Sequence, residues 1–76
     1  MNAERRKTIQ RALTQLEEAK SLLEAAMEEE QDYYDNLPEA FQNGEKGEKA
    51  TAAVEALSSA ISSVEEAVSS AEEAVE

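Results

Sequence analysis

The C-terminal third of the chain carries a small or apolar residue at strictly alternating steps of four and three. These positions are occupied by Ala50, Val54, Leu57, Ile61, Val64, Val68, Ala71 and Val75. A repeat of 3.5 residues keeps one apolar seam facing a partner helix along its whole length. The residue before every second seam position is alanine, which lets the partner backbone come close: Ala53, Ala60, Ala67 and Ala74. The pattern predicts a long helix that packs tightly along another helix.

The N-terminal half has a similar seam, with two charged residues in it. Its apolar members are Ile9, Leu13, Leu16, Leu23, Met27, Tyr34 and Leu37, and its charged members are Lys20 and Glu30. This seam predicts a first helix over about residues 3–35. Pro38 disfavours helical geometry at the residue before it, and its own fixed backbone angle suits the start of a short helical turn.

The pair Asn43-Gly44 breaks the chain again, which predicts a turn over about 36–47 and a second helix over about 45–75. Gly47 fits two interpretations, a fold-back residue or a tolerated glycine in the first turn of the second helix.

The charged ends of the two helices predict an antiparallel hairpin. Cations crowd the start of the first helix (Arg5, Arg6, Lys7 and Arg11), and carboxylates crowd the end of the second (Glu65, Glu66, Glu72, Glu73 and Glu76). The helix dipole disfavours both placements in an isolated helix, whereas antiparallel packing sets the two charged ends side by side. We therefore predict an all-α fold, a single helical hairpin over residues 1–76 in which Leu16 lies near Val68. One continuous coiled coil with a partly closed turn is the alternative.

Two helices in 76 residues make a small core, and the chain has no cysteine to reinforce it. We therefore expect a homodimer that forms a four-helix bundle. A row of small side chains on the second helix is the candidate interface: Ala56, Ser59, Ser63 and Ser70, continued by Ala52. Exposure of these residues to solvent is the default interpretation, and a close subunit contact is the alternative.

The balance of charge limits the class of partner. Eighteen acidic residues against seven basic ones give a net charge of −11. Direct binding to nucleic acid or to an anionic membrane needs a positive surface, so the sequence disfavours both. The negative field of the chain attracts a basic protein surface. The alternative interpretation is that the acidic residues only keep the protein soluble. Neither a secretory signal nor a membrane span is evident, so we expect a cytoplasmic protein.

The sequence predicts no catalytic, metal or cofactor site. The chain lacks histidine and cysteine, which removes the commonest bases, nucleophiles and soft metal ligands. Its serine pairs have no activating neighbour, and its one glycine-containing loop carries too few acidic ligands for calcium. We therefore expect a protein that acts by binding and is not an enzyme.

All three aromatic residues lie in one acidic tract over residues 28–41. We predict that Tyr34, Leu37 and Phe41 plug the closed end of the hairpin. Tyr33 lies one step off the seam and is the predicted aromatic contact for a partner. The acidic candidates for partner binding are Glu17, Glu18, Glu24, Glu28, Glu29, Asp32 and Asp35.

Residues 28–50, above all Tyr34–Glu39, resemble small acidic proteins encoded in bacterial phages and prophages. The flanking glutamate- and alanine-rich helices extend this resemblance over most of the chain. It implies a phage or mobile-element setting, in which such proteins often block host defence or nucleic-acid-binding enzymes. The leading hypothesis is a protein that binds and blocks a basic surface of a host protein. The alternative is an assembly module that pairs with a helix of a larger complex.

Overall fold

A computed structural model describes residues 1–75 as a rod of 58 × 14 × 12 Å. Helix α1 spans Ala3–Asp35, the single turn α2 spans Glu39–Gln42, and helix α3 spans Glu45–Val75. The all-α fold and the antiparallel hairpin are confirmed, with the predicted helix bounds. The continuous coiled coil is wrong, because residues 36–44 turn the chain back so that α3 packs along α1.

Both seams lie between the helices, as their spacing predicts. Each of the seventeen predicted seam residues is half-buried or buried, including the charged Lys20 and Glu30. Among residues 1–75, Ala50 and Ile61 are the hydrophobic residues with less than 9% exposure, at 1% and 8%. The core is therefore one side chain wide and open along both flanks.

Local hydrogen bonds define the helix ends. The Asn2 side chain accepts from the Arg5 N–H at 2.8 Å, which caps the start of α1. The Pro38 carbonyl accepts from the N–H groups of Phe41 and Gln42, at 2.8 and 3.0 Å, and so organises α2. The Gly44 carbonyl accepts from the Glu48 N–H at 3.0 Å, the first helical bond of α3.

The closed end of the hairpin is held by Gln42 and Gly47. The Gln42 side chain donates to the Tyr34 carbonyl at 3.0 Å and ties α2 to the end of α1. A Cβ atom at Gly47 would lie 1.8 Å from the Gln42 carbonyl oxygen. Gly47 therefore lies in the first turn of α3, as one of the two interpretations has it, and the contact with the Gln42 backbone requires a glycine there.

One ion pair shows the register between the long helices. Lys20 Nζ lies 3.3 Å from Glu65 Oε2, a pairing within one residue of the predicted register of Leu16 with Val68. The Lys20 ammonium donates a hydrogen bond to the Glu65 carboxylate, and this bond, together with the negative charge of Glu65, raises the pKa of Lys20. The predicted attraction between the helix ends gives no ion pair within residues 1–75, and Glu76 lies outside the described residues.

Candidate functional site

The two long helices give the hairpin two different flanks. Successive residues turn by about 100° around a helix, so the residues before and after a seam position lie on opposite sides of the seam. Because the helices are antiparallel with facing seams, the residues that follow the seam in both helices share one flank. Two surface grooves agree with this geometry. One groove is lined by Glu24, Glu28, Gln31 and Val54. The other, on the opposite flank, is lined by Tyr33, Lys46, Lys49 and Ala50.

The flank that follows the seams is acidic. Its carboxylates, here called the acidic flank, are Glu17, Glu24, Glu28 and Asp35 on α1 and Glu48, Glu55, Glu65 and Glu72 on α3. All eight carboxylates are exposed. Between residues 10 and 72, no lysine or arginine directly follows a seam position. Lys20 reaches across from the seam to Glu65. The half of the flank nearer the turn has no such partner among the described residues.

The carboxylates are densest in that half. In the register set by Lys20 and Glu65, five of them lie within about 20 Å along the rod, at 1.5 Å per helical residue: Glu24, Glu28, Asp35, Glu48 and Glu55. The mean spacing between neighbouring charges is therefore about 5 Å, compared with 3.4 Å in a single DNA strand, and the linear density is about a third of that of a duplex.

The flank that precedes the seams is nearly uncharged. The name apolar flank is used here for its uncharged part, which consists of Ala12, Gln15, Ala19, Leu22, Ala26 and Tyr33 on α1 and Ala53, Ala56, Ala60, Ser63, Ala67, Ser70 and Ala74 on α3. Toward the turn, the charged Glu29 and Lys49 also precede seam positions on this side. The side chain of Leu22 is 73% exposed, and that of Tyr33 is 46% exposed. Three alanines of this flank are half-buried between the helices: Ala19, Ala53 and Ala60.

The structure separates the predicted partner-binding residues into groups. Glu17, Glu24, Glu28 and Asp35 share the acidic flank, and Asp32 lies at its border. Glu18 lies on the outer face of α1, and Glu29, which precedes the seam residue Glu30, lies on the same side of the hairpin as the apolar flank. Tyr33 is exposed, and it lies across the hairpin from the acidic flank, beside Lys46 and Lys49.

Sequence reasoning missed the acidic residues of α3. Each of these residues follows a seam position or lies one helical turn from a residue that follows one: Glu48, Glu55, Glu65 and Glu72. Their positions relative to the seam could therefore have identified them from the sequence. The predicted interface residues also divide. Ala56, Ser63 and Ser70 lie on the apolar flank, whereas Ser59 and Ala52 lie on the outer face of α3.

Phe41 does not plug the closed end, and that prediction is wrong. Tyr34 and Leu37 are half-buried there, but Phe41 is 50% exposed, with the Lys46 ammonium 5.2 Å from its ring centroid. The single turn α2 directs Phe41 outward, and the Gln42–Gly47 backbone contact closes the end instead.

Phe41→Ala is expected to lower the free energy of unfolding by about 1 kcal/mol, the size of an exposed cation–π contact. A fully buried phenylalanine would cost about 3 kcal/mol or more. Urea unfolding followed by circular dichroism measures the difference. Phe41→Leu is the control, since it removes the ring and retains apolar bulk. A loss of about 3 kcal/mol in the alanine variant would show that Phe41 is core after all.

Within residues 1–75, no group of three acidic side chains could hold a metal ion, and no helix is long and apolar enough to cross a membrane. Compared with family models, curated proteins and solved structures, the chain matches none of them. Its function is therefore inferred from the residues and their placement.

Proposed function

We propose that the chain is a non-enzymatic interaction protein that binds and blocks a basic surface of another protein. The observation that carries the proposal is the acidic flank, with eight exposed carboxylates on one side of a rod. A surface of one sign attracts an oppositely charged partner and raises the rate of encounter.

The spacing of the charges favours a partner that also binds nucleic acid. A charge every ~5 Å is of the same order as the 3.4 Å between the charges that one DNA strand presents to a basic groove. With the resemblance to phage and prophage proteins, this makes a host nucleic-acid-binding enzyme, such as one of host defence, the first class of partner to test. The proposed site of action is the cytoplasm of the bacterial cell.

The experiment compares two variants of equal net charge. Glu24→Gln, Glu28→Gln and Asp35→Asn together neutralise three carboxylates of the acidic flank. Its control combines Glu18→Gln, Glu29→Gln and Glu66→Gln, which remove the same charge from the other faces. Each immobilised protein is used to capture partners from bacterial lysate, and the affinity for the captured protein is then measured by titration.

We expect the acidic-flank variant to bind at least ~10-fold more weakly and the control variant to change affinity less than ~2-fold. Binding of the wild type should weaken sharply toward 1 M salt, where the screening length falls to about 3 Å. Equal losses of affinity in the two variants would show that binding depends on net charge alone. That result would overturn the acidic flank as the binding site.

The apolar flank supports a second candidate, an assembly module that pairs with a helix of a larger complex. Its exposed Leu22 and Tyr33 are the kinds of side chain that a partner helix covers. In the same capture experiment, this function is favoured if binding resists salt and is lost when Ser63 and Ser70 are replaced by glutamate. The acidic-flank variant would then bind like the wild type.

A further inference from the structure

The hairpin exposes more surface than a folded chain of its mass usually does. It has 5597 Å² of accessible surface at 8.3 kDa. The scaling observed for folded monomers gives about 4600 Å² at this mass. The excess of about 1000 Å² is close to the ~800 Å² that each partner contributes to a standard interface. One further rod along one flank would bring the chain into the usual range.

Charge decides which flank such a contact can use. Two acidic flanks placed face to face would bring sixteen carboxylates together in one interface, eight from each copy. The apolar flank has no charged residue from Ala53 to Ala74 on α3 and none from Ala12 to Ala26 on α1. It also carries Leu22, whose side chain is 73% exposed.

We propose that the apolar flank binds a second copy of this chain in a two-fold symmetric four-helix bundle, with α1 of each copy against α3 of the other. The side chains are complementary in size, because α1 contributes Gln15, Leu22 and Tyr33 whereas α3 contributes only alanine and serine between residues 53 and 74. Every neighbouring pair of helices is then antiparallel, which suits their dipoles. The basic start of each α1 also faces the acidic end of the other α3.

The centre of the interface follows from the register. Lys20 pairs with Glu65, so Leu22 is level with Ser63 near the middle of the rod. A two-fold axis along the rod preserves these levels and sets Leu22 of each copy against Ser63 of the other. The acidic flanks remain outside, one on each side of the dimer. This proposal stands independently of the proposed function.

Two pairs of neighbouring substitutions test the surface. Leu22→Glu and Ser63→Glu place a charge on the apolar flank, whereas Ser21→Glu and Ser62→Glu place the same charge one residue away on the acidic side. Leu22 and all three serines are exposed helical positions, so each monomer should keep its helical circular dichroism. Sedimentation equilibrium at ~100 μM then gives the mass of each protein.

The wild type and the Ser21→Glu and Ser62→Glu proteins are expected at twice 8.3 kDa. The Leu22→Glu and Ser63→Glu proteins are expected as folded monomers, with the dissociation constant of the dimer raised at least ~100-fold. A monomeric wild type overturns the proposal, even if another helical protein is found on this flank. If the two pairs of substitutions raise the dissociation constant of the dimer equally, the apolar flank is not the interface.

Cysteine cross-linking tests the arrangement, because the chain has no cysteine of its own. The Leu22→Cys and Ser63→Cys proteins are mixed and oxidised, since a disulfide needs Cα atoms about 4.4–6.8 Å apart. A dominant mixed disulfide is expected. Dominant Leu22→Cys homodimers would overturn the pairing of α1 with α3, because that product requires α1 to lie against α1.

Discussion

Gly47→Ala is expected to lower the free energy of unfolding by about 3 kcal/mol or more, at the upper end of overpacking effects. The added Cβ would lie 1.8 Å from the oxygen and 2.4 Å from the carbonyl carbon of Gln42. Both are backbone atoms, so no side-chain rotation relieves the overlap. The turn α2 would have to move away from α3 and break the Gln42–Tyr34 hydrogen bond that holds it to α1.

Gly44→Ala is the matched control three residues away. A Cβ there would lie 3.5 Å from the Ala40 oxygen, an ordinary contact, and neither glycine has a positive φ. Its expected cost is at most about 1 kcal/mol, from a less favourable residue at the start of α3. Thermal and urea unfolding of the two variants measure the difference. Equal stability of the two proteins would contradict the close backbone approach.

Ile61→Ala is expected to cost about 2–5 kcal/mol, the range for truncation of a buried aliphatic side chain. Ile61 is 8% exposed, whereas the remaining leucines, valines and isoleucine of the two seams are only half-buried. Within the described part of a single chain, no third layer packs on α1 and α3 to fill the space that the smaller side chain leaves. In so thin a core, this loss is a large share of the total stability.

Ile61→Val provides the graded comparison, with an expected cost of about 0.5–1.5 kcal/mol. Chemical unfolding at several protein concentrations measures both variants and shows whether dimer formation contributes. A cost below about 1 kcal/mol for Ile61→Ala would mean that the seam at this level is open to water.

The sequence by itself determined the helices, their bounds and the faces they bury. A 3.5-residue repeat specifies which side of a helix is apolar, and Pro38 and Gly44 interrupt it through local backbone preferences. The acidic flank was also within reach, because carboxylates such as Glu48 and Glu55 hold fixed positions beside the seam. Considering α1 alone brought Glu18 and Glu29 into the candidate site, and the structure places them on other faces.

Only the tertiary structure decided how the closed end is built. It placed Phe41 in solvent, set the Gln42 backbone against Gly47, and separated Tyr33 from the acidic flank. These contacts depend on the angle at which α2 leaves α1 and meets α3. A few backbone dihedrals around residues 36–44 set that angle, and no repeat in the sequence records them. Periodicity specifies the face of a helix, whereas the meeting of two backbones is specified only when the whole chain has folded.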